Sequence, residues 1–371
     1  MIWDLPNVLV CLSVIFAAYL LGKIKGTHAL GLSLISFVPF CLNNVLFNPM
    51  YMPDQFTYWH MLHAIRDFDY TPYMYNTRVT EASVMYAFLP LPFVETINSV
   101  GFFNKFLLIV VFIWASSVLK LRGWILWFLL LYPSLLLYSS LSLREMLICT
   151  VMLLSLWTLM RGWYVLTFIC IGLLFEIKMQ NALLVTMFSL LYLAKRFTNI
   201  QLTYKKTIIF LGVLLVLFYF AFPFLLSKIE YYRVRMYLED GGVFAEYRPI
   251  SGFIDFIQKA AFGIFRALFY PLPWACNSKF QLIQSLENIG VALLLICFSW
   301  NNYRVIPRQT VFWLFFLFAG LLMYGLVVNN VGTIVRYKLP FVVVYFIFLS
   351  YERVRYNQGI VRASSYALNN E

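Results

Sequence analysis

The residues best equipped for chemistry are cations and carboxylates set at the edges of apolar runs. Arg144 and Glu145 close the stretch Tyr138-Ser139-Ser140-Leu141-Ser142-Leu143, which separates two apolar runs, 125–137 and 146–160. Ionisable side chains at membrane depth are costly, so a functional reading comes first. If the second run is helical, both residues lie in its first turn, with Ser142 placed to cap it. A capped helix with a snorkelling arginine is the plain alternative. The chemistry on offer is a planar fork for phosphate oxygens and a carboxylate that can accept a hydroxyl proton.

Four other stretches carry comparable groups. Pro53-Asp54 reads as a helix start, with Tyr58 one turn further on. A carboxylate beside an aromatic platform can take a proton from a sugar stacked there; an N-terminal helix cap is the alternative. Glu176, Lys178, Gln180 and Asn181 form a second polar pinch between apolar runs, expected to face protein or a cavity, or else to make a hairpin turn with a local Glu-Lys pair. Between Lys228 and Gly242 stand Tyr231, Tyr232, Arg233, Arg235 and Tyr237, followed by Arg248. Guanidinium forks and tyrosines fit a lipid-linked sugar phosphate, and an amphipathic helix lying on headgroups fits as well. Arg336 and Lys338 sit at the start of the last apolar run, where cations oppose the helix dipole. A bound anion would relieve that conflict, as would snorkelling to lipid phosphates.

A membrane must hold these groups in place. Of 371 residues 62% are hydrophobic and only 12% charged, with a mean hydropathy of +0.80. That composition excludes a soluble core and predicts an all-α polytopic membrane protein. Crossing the hydrocarbon takes roughly 20 helical residues, and about eleven runs approach that length. They are 6–22, 28–47, 102–119, 123–138, 143–160, 162–177, 179–194, 207–226, 282–300, 310–328 and 335–351. Two further runs, 82–94 and 260–274, are short or broken by Pro90, Pro92, Pro271 and Pro273, and suit re-entrant or interfacial pieces. The first apolar run, 8–21, has the length of a signal-peptide core, but no basic residue precedes it and no convincing cleavage site follows. It reads as retained. The expectation is one integral membrane domain over 1–371, with a first outer loop at 48–98 carrying a re-entrant segment and a long outer loop at 227–281.

Orientation follows from lysine and arginine in the short connections. Every second connection is basic, from Lys23 and Lys25 through Lys120, Arg122, Arg161, Lys195, Arg196, Lys205, Lys206, Arg304 and Arg308 to Arg353, Arg355 and Arg362. Placed in the cytoplasm, these fourteen residues face only Glu352 and Glu371, so the net charge of +12 falls on that side. The N terminus then lies outside, the C terminus inside, and Arg144 opens outward. Anionic headgroups account for the basic balance, and no nucleic-acid partner is expected. Of six cysteines, five fall in expected spans and Cys276 outside, which makes no disulfide framework. His60 and His63 lack a third ligand nearby, so no metal site is expected.

Three signatures together resemble the bacterial Wzy-type polysaccharide polymerases, the family of O-antigen and capsule polymerases. They are Asp54 with Tyr58 after the second span, Tyr132-Pro133-Ser134 through Ser139-Ser140 to Leu143-Arg144-Glu145, and Asn330, Gly332, Thr333, Arg336 and Pro340 before the last span. The layout, many spans with one long late outer loop, covers nearly the whole chain. The resemblance implies a GT-C-like glycosyltransferase of the bacterial inner (cytoplasmic) membrane. Such an enzyme moves a glycan from undecaprenyl diphosphate to a sugar hydroxyl on another undecaprenyl-diphosphate-linked repeat unit and releases undecaprenyl diphosphate. Asp54, with Glu145 in reserve, would accept the proton, and Arg144 would stabilise the leaving diphosphate. Tyr58, Lys178, Arg233, Arg235, Arg248, Arg336 and Lys338 would bind substrate. No cofactor is implied; the partners implied are the donor and acceptor glycolipids, membrane lipids, and a chain-length regulator and flippase of the same pathway. An O-antigen ligase shares the donor, but a histidine expected in its long outer loop is missing from 227–281. A flippase or transporter would line its midplane with ionisable residues, and the span centres here read as almost bare.

Overall fold

The computed structural model describes residues 2–69, 77–197, 204–239, 241–328 and 330–368, and among these the regular structure is helical. The basic connection expected at 195–206 lies partly outside the described residues, as do Asp240, Asn329 and Glu371. In chain order the helices are α1 (Leu5–Leu20), α2 (Gly26–Ile35), α3 (Val38–Leu42), α4 (Asp54–Arg66), α5 (Thr77–Ala87), α6 (Ser99–Ser117), α7 (Trp124–Leu131) and α8 (Pro133–Tyr138). There follow α9 (Glu145–Arg161), α10 (Tyr164–Phe197), α11 (Tyr204–Glu239), α12 (Phe253–Phe269), α13 (Lys279–Tyr303), α14 (Pro307–Val327) and α15 (Val331–Leu368). Six helical segments among the described residues are long and apolar enough to cross a membrane: Ile2–Leu20, Ser99–Ser117, Tyr164–Ala194, Lys279–Tyr303, Pro307–Val327 and Gly332–Ile360. The chain is therefore a multi-pass, all-α membrane protein.

Local chemistry explains where the helices break. Tyr132 precedes Pro133, whose ring excludes the helical region for its neighbour; Tyr132 takes ψ 109° and divides the expected span 123–138 into α7 and α8. α9 ends at Gly162, whose φ of +83° closes a Schellman-type cap: Gly162 N donates to the Leu159 carbonyl and Trp163 N to that of Thr158. The expected break between 162–177 and 179–194 falls at a kink where two helical stretches meet. Both stretches belong to α10, which is interrupted at one residue, Lys178, with φ −154° and ψ 86°.

Where one domain was expected, contacts divide the chain into two compact units. One comprises Met1–Val185, Asn301–Trp313 and Leu339–Glu371; the other comprises Thr186–Trp300 and Leu314–Lys338. The first has a dense aromatic core in which Trp313 stacks on Phe348 at 5.0 Å and 9°, and Phe128 meets Phe346 at 4.5 Å. In the second, α12 crosses α14 where Gly263 meets Gly325. A Cβ on either glycine would lie within 2.6 Å of the opposing backbone. Phe222, Ile250, Phe256, Ala260 and Leu326 pack around this crossing.

Candidate functional site

The interruption between α8 and α9 is built from polar contacts that no helix could supply. Asn104 of α6 donates through Nδ2 to the carbonyls of Leu141 (2.7 Å) and Leu143 (2.6 Å). The Tyr86 hydroxyl of α5 reaches the Leu143 carbonyl at 2.9 Å and Asn104 Oδ1 at 2.5 Å. Gln55 Oε1 accepts from Ser142 N at 3.3 Å and from Asn43 Nδ2 at 2.9 Å, and Asn43 also donates to Asn98. Free backbone groups in an apolar interior cost several kcal/mol each, so this network is what lets the chain unwind there. Ser142 does not cap α9. Its hydroxyl donates to the Ile97 carbonyl, and Arg144 takes the N-cap position without a side-chain cap bond.

Close packing on the other side completes the mount. A Cβ on Gly101 would fall 2.3 Å from the Ser140 carbonyl oxygen, so only glycine lets α6 approach. Gly101→Val is expected to destabilise the protein by about 1–3 kcal/mol through overpacking, read as a lower thermal midpoint in detergent. An unchanged midpoint would show that α6 does not bear on the break. Lys105, one helical turn along and fully buried, donates from Nζ to Ser139 Oγ at 2.9 Å. This lysine lies inside a candidate span.

At the end of this break Arg144 spans to the second one. Its Nη1 donates to the Ile177 carbonyl at 3.0 Å, directly before the non-helical Lys178, and its Cζ sits 5.8 Å over the Tyr58 ring. The interruption of α10 leaves that carbonyl available, and the guanidinium occupies it. Among the described residues no carboxylate makes an ion pair with Arg144, which is half-buried. Glu145 is 1% exposed at the first position of α9, Lys178 is buried, and Tyr58 is 3% exposed. Tyr58 therefore supports Arg144 and offers no open ring for a sugar, which corrects the expected platform. Asp54 opens α4 and is exposed. Beside the α10 interruption, the Glu81 and Glu176 carboxyls are close enough to interact. Burial first, then the neighbouring Glu176 carboxyl, hold the Glu81 carboxyl above its ordinary range, against the pull of Arg78.

The cations expected in the late segments belong to the second unit, and three of them donate to protein groups. Arg233 pairs with Glu230 at 2.6 Å, donates from Nε to the Leu326 carbonyl at 3.2 Å and lies 5.5 Å over the Tyr247 ring. Glu230 in turn accepts from the Tyr247 hydroxyl at 2.6 Å and from Ile250 N at 3.0 Å. Arg266 donates to the carbonyls of Gly325 and Val328. Two guanidinium groups thus satisfy the orphan carbonyls at the end of α14 and match its dipole. Lys338 is 2% exposed and donates to the Ala267 carbonyl at 3.1 Å and to Asn288 Oδ1 at 2.5 Å; Asn288 holds the Tyr270 carbonyl. The dipole conflict at the start of α15 is eased by the Ala267 carbonyl near the C-terminal end of α12. Arg233 and Lys338, expected as ligand binders, give these donors to helix ends. Arg235 is exposed and pairs with Glu239 at 2.8 Å, Arg248 is exposed, and Arg336 stands 5.8 Å over the Tyr337 ring.

Removing a buried cap of this kind strands carbonyls. Arg266→Met is expected to cost about 1–3 kcal/mol of stability, whereas Arg248→Ala should stay within about 0.5 kcal/mol; thermal unfolding of the two variants in one detergent compares them. Equal midpoints would remove the capping role.

Sequence reading passed over Asn43, Gln55, Tyr86, Asn98, Asn104 and Lys105. A polar residue within an apolar run was the available signal for Asn104 and Lys105. No family model, no curated protein and no solved structure matches the chain.

Proposed function

We propose that the chain is a glycosyltransferase that polymerises undecaprenyl-diphosphate-linked repeat units into O-antigen or capsular polysaccharide. The observation that carries this reading is Arg144: a half-buried guanidinium without a carboxylate partner among the described residues, fixed by Tyr58 and the Ile177 carbonyl where two apolar helices are interrupted. A preorganised cation in a low-dielectric setting is what a departing diphosphate needs, because the charge that develops on the leaving oxygen meets a donor already in position. Arg144 has further N–H groups beyond the one given to Ile177. Lys178, at the other interruption, adds a second cation, and Asp54 or Glu145 supplies the base for the acceptor hydroxyl. The fuller picture of about eleven crossings, with these groups open to the outer face and a GT-C-like arrangement, belongs to this proposal.

One observation favours a second reading. Interrupted helices with buried cations are also how transporters bind charged substrates, and Lys105 is a buried cation inside a span. A deletion strain separates the two. A polymerase loss leaves surface polysaccharide carrying a single repeat unit, while loss of a flippase or ligase leaves none attached. Orientation is checked by cysteine labelling in intact cells: position 54 is expected to react with an impermeant reagent and position 200 is not. Labelling at position 200 from outside would overturn the topology.

A further inference from the structure

With Tyr58 buried beneath Arg144, the aromatic chemistry of α4 lies on its other side. Phe56, Trp59 and His60 are open or half-open and form a cluster. The Trp59 and His60 rings lie 4.5 Å apart at 32°, and Phe56 faces His60 at 6.5 Å and 26°. Trp59 is held in place by its Nε1–H, which donates to the Val94 carbonyl at 2.8 Å. Thr57, three residues before His60, is exposed beside this cluster, while Asp54 at the helix start lies on the side of Tyr58.

We propose that this exposed face of α4 is a saccharide subsite, with a pyranose lying on the Phe56, Trp59 and His60 rings and its hydroxyls meeting Thr57. A pyranose has an apolar C–H face and a rim of hydroxyl donors and acceptors. Rings in a fixed cluster match the first, and the Thr57 hydroxyl with the His60 ring nitrogens matches the second. Charge argues for a sugar over a lipid headgroup. Next along the helix, His63 stands between Asp67 at 2.7 Å and Glu95 at 3.8 Å, while Arg66 turns its guanidinium inward to the carbonyls of Leu91, Leu89 and Ala87. Among the described residues the face thus presents carboxylates and no outward-turned arginine, which repels anionic phosphate. Resting on the polymerase reading, the occupant is a sugar of the acceptor glycolipid.

The test uses the full chain in lipid nanodiscs and saturation-transfer NMR with methyl glucoside, galactoside, mannoside, rhamnoside and N-acetylglucosaminide, each in both anomers. At least one is expected to receive transfer, strongest at its ring C–H protons. The double variant Phe56→Ser/His60→Ala should weaken that binding at least tenfold, with the helical circular dichroism unchanged. Transfer to none of the panel, or equal transfer in the variant, overturns the subsite. A nitroxide on Thr57→Cys gives an independent reading: relaxation by a water-soluble nickel chelate supports an open sugar face, and relaxation by lipid-dissolved oxygen alone overturns it, leaving an interfacial anchor. Failure of the polymerase reading looks different, as saccharide binding without chain growth.

Discussion

Arg144→Lys is expected to slow chain growth by about 10²-fold or more, the scale seen when one preorganised donor to a developing oxyanion is lost. The charge survives the substitution, so a purely electrostatic role predicts a mild effect. What disappears is geometry. The guanidinium serves the Ile177 carbonyl at 3.0 Å and stacks over Tyr58 at 5.8 Å, and its planar fork leaves N–H groups for phosphate oxygens. An ammonium is one compact point of charge that cannot hold the carbonyl, the ring and a bidentate phosphate together. Donor affinity should fall less than turnover, because the interaction strengthens as the diphosphate departs. Initial rates at saturating lipid-linked repeat unit provide the measure. A rate within about twofold of wild type would remove Arg144 from the chemistry.

Asp54→Asn is expected to lower turnover by about 10²- to 10⁴-fold, the span typical of a lost general base, with folding retained. The amide keeps the shape and much of the hydrogen bonding of the carboxylate at the start of α4 but cannot take a proton. Exposure favours Asp54 over Glu145: Asp54 opens an accessible helix end, and Glu145 is 1% exposed in the first turn of α9. Glu145→Gln is therefore the paired measurement in the same assay. Full growth in Asp54→Asn with loss only in Glu145→Gln would move the base to the mid-chain motif. Growth in both would direct attention to the Glu81 and Glu176 pair, in which one carboxyl already sits above its ordinary range.

Local signals were legible and tertiary ones were not. Pro133 and Gly162 mark their own breaks because a pyrrolidine ring and a positive φ act on the adjacent backbone alone. Arg144 stands out because a charge inside an apolar run is costly wherever the run folds. The burial of Tyr58 depends on Arg144 arriving from 86 positions later, which no spacing within α4 reports. The conflict at Lys338 was visible as a cation near a helix start, but its resolution lies in the Ala267 carbonyl, 71 residues away. Asn104 and Lys105 were overlooked for a different reason. Hydropathy averaged over a window of about 19 residues absorbs two polar side chains without losing the span, and the two that were absorbed hold the break together.

The central claim is transfer from a polyprenyl diphosphate to another lipid-linked repeat unit at the Arg144 site. Its most direct test incubates the purified protein in nanodiscs with synthetic undecaprenyl-diphosphate-linked repeat unit alone and follows the products by gel and mass spectrometry. The prediction is a ladder of two, three and more repeats, with undecaprenyl diphosphate released once per bond formed and the ladder lost in Arg144→Lys. Unchanged substrate with an active, folded preparation, or a ladder that Arg144→Lys makes equally well, would contradict it.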